Sequence, residues 1–203
     1  MTRPEPRLPP LPFADWDDDT RSVLLQSLRR PELYLSGAPD APPMPVVLEV
    51  LAHHLSLSES WLRFSDMLSG NEARLSSEHR ELLILRVAWR SGSGYEWNQH
   101  ERIGREAGLT AAQIDAIRQD STAGDWAPRE RALLAAVDEM IDRFAVTEET
   151  WQSLITYFDS AQILEMLFVI GGYLCLAGVL NSVGLWSELP GEPTHPDRRV
   201  PEA

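Results

Sequence analysis

Three ionisable side chains occupy two consecutive apolar segments, where their spacing could support proton transfer. On a helical wheel for residues 78–90, Glu81 lies within an arc formed by Ile84, Leu85 and Ala88. A carboxylate on such a face is costly to bury unless it is paired or protonated. The position therefore predicts a specific role for Glu81. The opposite side of this helix is predicted to face solvent and carries His79, Arg86 and Arg90.

The following segment places Glu96 and His100 four residues apart, on the same apolar face as Trp97. Residues at this spacing are neighbours on a helix surface, so the carboxyl group could orient the imidazole or share a proton with it. A desolvated glutamate and a histidine both titrate near neutral pH. We predict that His100 exchanges a proton with a substrate and that Glu96 orients or tunes it. Glu81 is predicted to be a second acid/base or a hydrogen-bond anchor.

A structural interpretation stays open beside this one, because inward Glu–His pairs also fix the register of packed helices. Tyr95 and Tyr173 are candidate substrate-binding donors, and Trp97 is a candidate wall of the pocket. The alternative for both tyrosines is packing at a helix interface with the hydroxyl at its rim.

Helices must position these groups, since start and stop signals recur and no stretch shows sustained strand-type alternation. Ser76 or Ser77 can cap a helix that runs to Trp89, and the Ser-Gly-Ser-Gly run at 91–94 separates it from a helix that begins near Tyr95. The fold class is predicted to be all-α. The other helices are predicted over 15–30, 46–68 (as two pieces), 110–118, 128–144, from Thr147, and over 161–186.

The length and the distribution of proline predict one folded domain over 13–189. Pro-rich segments at 1–12 and 190–203 are interpreted as extended tails, and 31–45 as a loop. The uncharged stretch 166–186 is long enough for a membrane span, but its glycines, Asn181 and acidic flanks favour a core helix.

The charge balance excludes several partners. A formal net charge of −13 would repel nucleic acids and anionic membrane surfaces.

Cys175 is the single cysteine, which excludes disulfides and multi-cysteine metal sites within one chain and favours the reducing cytoplasm. His53 and His54 are adjacent and point about 100° apart, so they lack the i, i+4 spacing of a helical metal pair.

Two motifs carry a resemblance to a known family. The sequence RELLILRVA at 80–88, followed by YEWNQH at 95–100, resembles the core motif of the carboxymuconolactone decarboxylase family within the AhpD-like superfamily. The likeness extends over about residues 76–185. The resemblance implies a single-domain AhpD-like helical bundle that forms homo-oligomers. A ridge of Gly171, Cys175 and Gly178 is a candidate subunit contact.

The chain departs from the peroxidase branch of that superfamily, which carries a Cys-x-x-Cys before its histidine. Ser93 and Glu96 stand where those cysteines would fall, so thiol chemistry has no nucleophile there. The pattern resembles the decarboxylase branch, whose members use neither a metal nor an organic cofactor. The resemblance thus implies a lyase-type or isomerase-type enzyme that acts on a small carbonyl, carboxylated or lactone compound. A peroxidase or reductase of the same fold, and a non-catalytic ligand-binding or assembly protein, are the alternatives.

Overall fold

The predicted all-α class is confirmed. The computed structural model describes residues 5–28, 31–36, 41, 43–70, 72–119 and 124–186, and every regular element within these ranges is helical. The α-helices are α1 (Asp18–Leu25), α2 (Pro31–Leu35), α3 (Val46–Leu51), α4 (Leu55–Ser69), α5 (Ser77–Ser91), α6 (Gly94–Ala107), α7 (Ala111–Ile117), α8 (Pro128–Arg143), α9 (Glu148–Tyr157) and α10 (Ser160–Val183).

The predicted capping residues account for several helix boundaries. The Ser76 hydroxyl accepts a hydrogen bond from the His79 N–H at 3.2 Å and begins α5. Gly92 ends α5 in the left-handed region at φ 67°, which costs a glycine little because it has no Cβ. Thr110 and Gln113 form a reciprocal capping box at the start of α7. Short-range polar contacts therefore fix where these helices begin and end.

The N-terminal region differs from the prediction of one helix over 15–30. The carboxylate of Asp17 accepts from the Thr20 N–H at 2.8 Å, so α1 begins only at Asp18. The preceding Trp16 is extended, and its indole N–H donates to the Leu11 carbonyl at 2.9 Å. The predicted loop over 31–45 contains α2.

Residues 5–12 form no regular secondary structure, with a bend at Arg7 and Leu8, and they lie against the helices. The Arg7 N–H donates to the Val183 carbonyl at 2.8 Å, and the Leu11 N–H donates to the Glu49 carbonyl at 2.9 Å. Leu8 packs into an apolar cluster between these elements. The predicted C-terminal tail at 190–203 lies outside the described residues.

Helix α5 lies at the centre of the fold and packs against α6, α8 and α10. Because neighbours surround it, its apolar side chains are buried around most of its circumference instead of along one stripe. Between positions 82 and 88, every residue except Arg86 is apolar and at most 1% exposed: Leu82, Leu83, Ile84, Leu85, Val87 and Ala88.

The predicted solvent-facing side of α5 is an interface, and that prediction was wrong. Arg86 is 3% exposed and donates two hydrogen bonds, each 2.8 Å long, to the carboxylate of Asp138 on α8. Arg90 reaches the same carboxylate. His79 packs edge-on against Phe158, with ring centroids 5.5 Å apart, and burial lowers its pKa. Arg86 and Arg90 face α8 because the Asp138 carboxylate on that helix accepts charge-assisted hydrogen bonds from both guanidinium groups.

The C-terminal helix α10 is partly a core helix, as the sequence predicts. Met166, Val169 and Ile170 are fully buried, whereas Leu164 and Phe168 are 57% and 52% exposed. By length and composition alone α10 also meets the requirement for crossing a membrane, a test that core helices pass as well. One side of α10 thus stabilises the bundle, and the other remains apolar and uncovered in the single chain.

Candidate active site

Glu81 of α5 and His100 of α6 form the central contact of the site. Oε2 of Glu81 lies 2.6 Å from Nδ1 of His100, and the two residues are 3% and about 14% exposed. Gly104 permits this approach, since a Cβ there would lie 3.1 Å from Cδ1 of Leu85 and 3.7 Å from Cβ of Glu81. The glycine lets α6 lie close against α5, so the carboxylate and the imidazole meet across the helix pair.

The contact assigns different functions to the two ring nitrogens of His100. An ionised carboxylate only accepts hydrogen bonds, so pairing with ionised Glu81 requires a proton on Nδ1. Nε2 is then the nitrogen available as an acceptor when the ring is neutral. A carboxylate on Nδ1 also stabilises the imidazolium that forms when Nε2 takes up a proton.

Glu96 is in a different electrostatic state. It is 2% exposed, and burial raises its pKa to about 8. Neither carboxyl oxygen lies within hydrogen-bonding geometry of a described residue, although the adjacent Ser93 hydroxyl opposes part of the shift. At neutral pH the carboxyl group therefore retains its proton and is uncharged.

The pairing differs from the sequence prediction that Glu96 orients His100. The sequence identified both glutamates as inward-facing but could not show which one reaches the imidazole. Glu81 does so from the neighbouring helix, whereas Glu96 lies in the first turn of α6 beside Ser93, its N-cap residue. Glu81, predicted to be a second acid/base or a hydrogen-bond anchor, contacts the His100 imidazole, and its function in a reaction stays a prediction.

A cavity of about 190 Å³ opens beside this pair. It brings together four of the six predicted site residues and adds four that the sequence analysis missed. Gln99 lies one turn after Glu96 on the same helix, and this spacing could have indicated that it also faces the cavity. The apolar lining residues come from other elements, so the spacing along α6 does not indicate them. The lining residues are Pro45, Val47, Tyr95, Glu96, Gln99, His100, Tyr173 and Leu176.

Both predicted tyrosines line the cavity. The Tyr95 oxygen accepts from the Val47 N–H at 3.3 Å, which connects α6 to the start of α3. The ring of Tyr173 meets His100 edge-on, with centroids 5.1 Å apart and planes at 89°. Burial raises the pKa of Tyr173, and the nearby carboxyl groups of Glu81 and Glu96 raise it further wherever they are ionised. Its hydroxyl thus remains protonated and can donate a hydrogen bond.

Trp97 does not line the cavity, in contrast to the prediction. Its indole N–H donates to Glu101 at 3.2 Å, and its ring contacts Trp89 and the guanidinium of Arg118. A residue adjacent to Glu96 on a helix points about 100° away from it, which directs Trp97 into the core towards α7. Its position is that of a packing residue.

The residues that the sequence analysis rejected as metal ligands lie away from this cavity. Nε2 of His53 contacts the Pro9 carbonyl at 2.8 Å, and Nδ1 of His54 contacts Ser56 at 3.4 Å. Across the described part of the chain, no group of three His, Cys, Asp or Glu side chains converges in a way that could hold a metal ion.

The fold defines an AhpD-like all-α protein. A peroxidase-related protein from Ralstonia eutropha, described as having an alkylhydroperoxidase AhpD core, aligns with a TM-score of 0.75 at 19% identity over 96% of each chain. A peroxidase-related protein from Silicibacter sp. aligns with a TM-score of 0.73 at 18% identity over 97% of each chain. An Agrobacterium tumefaciens protein of unknown function, described as a candidate antioxidant defence protein AhpD, aligns with a TM-score of 0.60 at 17% identity, over 65% of this chain and 90% of its own. At these identities the similarity establishes the fold.

The family resemblance is confirmed as well. Residues 57–139, a segment that contains Glu81, Glu96 and His100, match the model of the carboxymuconolactone decarboxylase family. The comparison with curated proteins gave no match.

Proposed function

We propose that the protein is a cofactor-independent enzyme of the lyase or isomerase type, acting on a small carbonyl, carboxylated or lactone compound by proton transfer. The observation that carries the proposal is the 2.6 Å contact between His100 and Glu81 at the edge of a cavity that also holds Glu96. One cavity thus contains an imidazole paired with a carboxylate and a second carboxyl group that keeps its proton. These are the components of a base and an acid.

In the proposed reaction, Nε2 of His100 removes a proton from the carbon next to a carbonyl group. The electron pair of the broken C–H bond forms a carbon–carbon double bond, and the carbonyl π electrons move to oxygen to give an enolate. The carboxylate of Glu81 stabilises the imidazolium. A donor in the cavity, the Glu96 carboxyl or the Tyr173 hydroxyl, binds the enolate oxygen.

The second half of the reaction returns a proton to carbon. In a substrate whose enolate is extended by a further carbon–carbon double bond, the His100 imidazolium returns the proton to the far carbon, which moves the double bond and restores the neutral imidazole. A β-keto acid follows a different first step: the carbon–carbon bond to the carboxylate breaks, carbon dioxide leaves, and the bonding electron pair forms the enolate, which takes up a proton from the Glu96 carboxyl group or from protonated His100 that solvent then replaces. Both routes pass through an enolate, so the same side chains serve either reaction.

The size of the cavity supports a small substrate. A volume of about 190 Å³ corresponds to roughly six water molecules at about 30 Å³ each. Val47 and Leu176 supply apolar surface, while Gln99 presents an amide that can donate to or accept from a carbonyl-containing group. Compounds with a compact carbon skeleton and one or two oxygen functions fit this lining.

The direct test measures carbon-acid chemistry. We would incubate the protein in D2O with small ketones, γ-lactones and β-keto acids, following deuterium incorporation at carbon by proton NMR and release of carbon dioxide separately. We expect His100→Ala and Glu96→Gln to abolish turnover while helicity by circular dichroism stays the same. His54→Ala is the matched control, because His54 is exposed and lies outside the cavity.

A non-catalytic protein would give a different pattern in the same experiment. If Glu81, Glu96 and His100 only hold the helices together, the native protein exchanges no substrate deuterium, and His100→Ala lowers the melting temperature instead. That result would favour the ligand-binding or assembly interpretation.

A peroxidase or reductase is the second candidate, favoured by the names of two structural relatives, which are peroxidase-related. The thiol available for such chemistry is Cys175, which is exposed on α10. Alkylation with iodoacetamide, or Cys175→Ser, would abolish a thiol-dependent hydroperoxide reduction. Unchanged proton-transfer activity after alkylation would exclude this candidate as the source of that activity.

We also propose a homo-oligomer in the cytoplasm, where the single cysteine would remain reduced. The exposed side of α10 adjoins a groove of about 930 Å³ between α4 and α10, with Met67 on its other wall at 67% exposure. Apolar surface of this kind typically marks an interface. Phe168→Glu should lower the mass measured by light scattering, while Phe144→Glu, at an exposed site on another helix end, should not.

A further inference from the structure

Arg80 is a buried cation beside the Glu81 carboxylate, and the proposed proton transfers do not involve it. It is 8% exposed, and its Nε lies 3.8 Å from Oε1 of Glu81. That distance is too long for a hydrogen bond, and Nε has no hydrogen-bond acceptor among the described residues. The guanidinium therefore acts on Glu81 by charge.

The two oxygens of Glu81 face different partners. Oε2 contacts Nδ1 of His100 at 2.6 Å, and Oε1 faces the guanidinium of Arg80. A carboxylate that is 3% exposed has lost most of its hydration, so an adjacent cation stabilises its negative charge in addition to the hydrogen bond from Nδ1. The cation is thus coupled to the imidazole through the carboxylate between them.

We propose that Arg80 is a positioning residue that sets where the proton lies in the Glu81–His100 pair. Its positive charge keeps Glu81 ionised, which holds the imidazole proton on Nδ1 and leaves Nε2 as the acceptor. The catalytic consequence rests on the function proposed above, whereas the proton distribution can be tested without any substrate.

Loss of the positive charge changes the proton distribution in one direction. Either Glu81 keeps a proton and donates a hydrogen bond to an unprotonated Nδ1, which places the ring proton on Nε2, or the unbalanced carboxylate stabilises the imidazolium, in which both nitrogens are protonated. In both cases Nε2 carries a proton at neutral pH and can no longer act as a base. The titratable and charged groups that face the pair are Arg80 on α5, Glu96 on α6 and Tyr173 on α10.

The test reads the ring nitrogens directly by NMR on protein labelled with 15N-histidine. His100 is assigned by the signal that disappears in His100→Gln. In the native protein at pH 7 we expect Nε2 to be unprotonated and Nδ1 protonated. Arg80→Gln should show a protonated Nε2, whereas Arg80→Lys, which restores the charge, should resemble the native protein.

Arg102→Gln is the matched control, since this arginine lies on α6 with a side chain 63% exposed and pairs with Glu106 at the surface. It removes the same charge and should leave His100 unchanged. An unprotonated Nε2 in Arg80→Gln would overturn the proposal. Should Arg80→Gln fail to fold, Arg80→Lys still decides, because a protonated Nε2 in that variant would contradict control by charge.

Turnover provides the second readout and separates this proposal from the proposed function. We expect Arg80→Gln to lower kcat at pH 7 at least tenfold with little change in KM, and activity should recover as the pH is raised. Loss of activity in His100→Ala, combined with a native pH profile in Arg80→Gln, would refute the positioning of the proton while leaving the enzyme intact. An inactive native protein would refute the enzyme and leave the NMR result standing.

Discussion

The Nδ1 atom of His100 lies 2.6 Å from Oε2 of Glu81, across the interface between α6 and α5. In this contact the Glu81 carboxylate accepts a hydrogen bond from the imidazole. Glu96 stays outside the pair, and burial raises its pKa to about 8. Of two carboxyl groups on adjacent helices, one thus contacts the imidazole and the other keeps its proton, which is the arrangement expected where one assists a base and the other supplies a proton.

Replacement of Glu81 by glutamine tests whether the negative charge beside the imidazole contributes to turnover. The amide oxygen can still accept from Nδ1, but the charge that stabilises the imidazolium is lost. We expect kcat to fall on the order of 100-fold, within the range of general acid–base effects, while the melting temperature holds or rises. Steady-state kinetics with thermal denaturation measures both. Glu106→Gln on the exposed side of α6 is the control, and equal kinetics in the two variants would contradict the assignment.

Much of the fold could be predicted because its determinants are local. The hydroxyl of Ser76 and the glycine at 92 mark the limits of α5 through contacts within a few residues. The inward positions of Glu81 and Glu96 followed from helical periodicity and are confirmed by exposures of 3% and 2%. Periodicity shows which residues share a face, and for these two glutamates that was enough.

The sequence-based predictions were wrong where the contacts of a residue depend on an element that is far away in the sequence. Arg86 looked solvated because its own helix gives no sign of Asp138, which is 52 residues away. The partner of His100 was misassigned for the same reason, since the i, i+4 spacing indicates Glu96 and only the packing of α5 against α6 reveals Glu81. Pro45 and Val47 reach the cavity from the start of α3, and no local pattern predicts that placement.

Burial of Glu96 should make stability depend on pH. The native state holds this proton up to a pKa of about 8, whereas an unfolded chain releases it near the ordinary value of 4.5. The native state therefore binds more protons over that window, and the free energy of unfolding must fall as pH rises through it. Glu96→Gln removes this effect. Between pH 5 and 9 the stability gained by the variant over the native protein should grow by roughly 3 to 5 kcal/mol.

Urea denaturation of the native protein, Glu96→Gln and Glu106→Gln at pH 5, 7 and 9 measures the effect. The Glu106→Gln curve should run parallel to the native one, since that carboxyl group is exposed. Parallel curves for Glu96→Gln as well would mean that Glu96 is ionised at neutral pH, which contradicts its proposed function as an acid.

The same proton should set the alkaline limit of activity. If the Glu96 carboxyl delivers a proton, turnover falls as the pH rises past about 8. Ser93 adjusts this limit, because its hydroxyl opposes the increase in the pKa of Glu96. Ser93→Ala should therefore move the alkaline limb of a plot of kcat against pH to a higher value. A limb that stays in place, or moves to lower pH, would separate the decline from Glu96.

The ion pair on the other side of α5 should contribute to stability and leave the chemistry unaffected. Arg86 and Asp138 have side-chain exposures of 4% and 17%, and Arg86 also donates to the carbonyl of Ile117 at the end of α7. Arg86→Met leaves the carboxylate and the carbonyl without this donor in a largely dry interface. We expect a loss of about 3 to 5 kcal/mol in the free energy of unfolding, as for other broken buried pairs.

Arg63→Met is the matched substitution at the surface, because the Arg63–Glu59 pair has side-chain exposures of 78% and 46% and should contribute less than about 1 kcal/mol. Urea denaturation compares the two variants, and kcat of the folded Arg86→Met protein should remain within a few-fold of native. Arg86 lies on the side of α5 that faces α8, whereas Glu81 faces α6. A large loss of kcat in a folded Arg86→Met protein would show that the two sides are coupled through the helix, so that α5 does more than hold Glu81 in place.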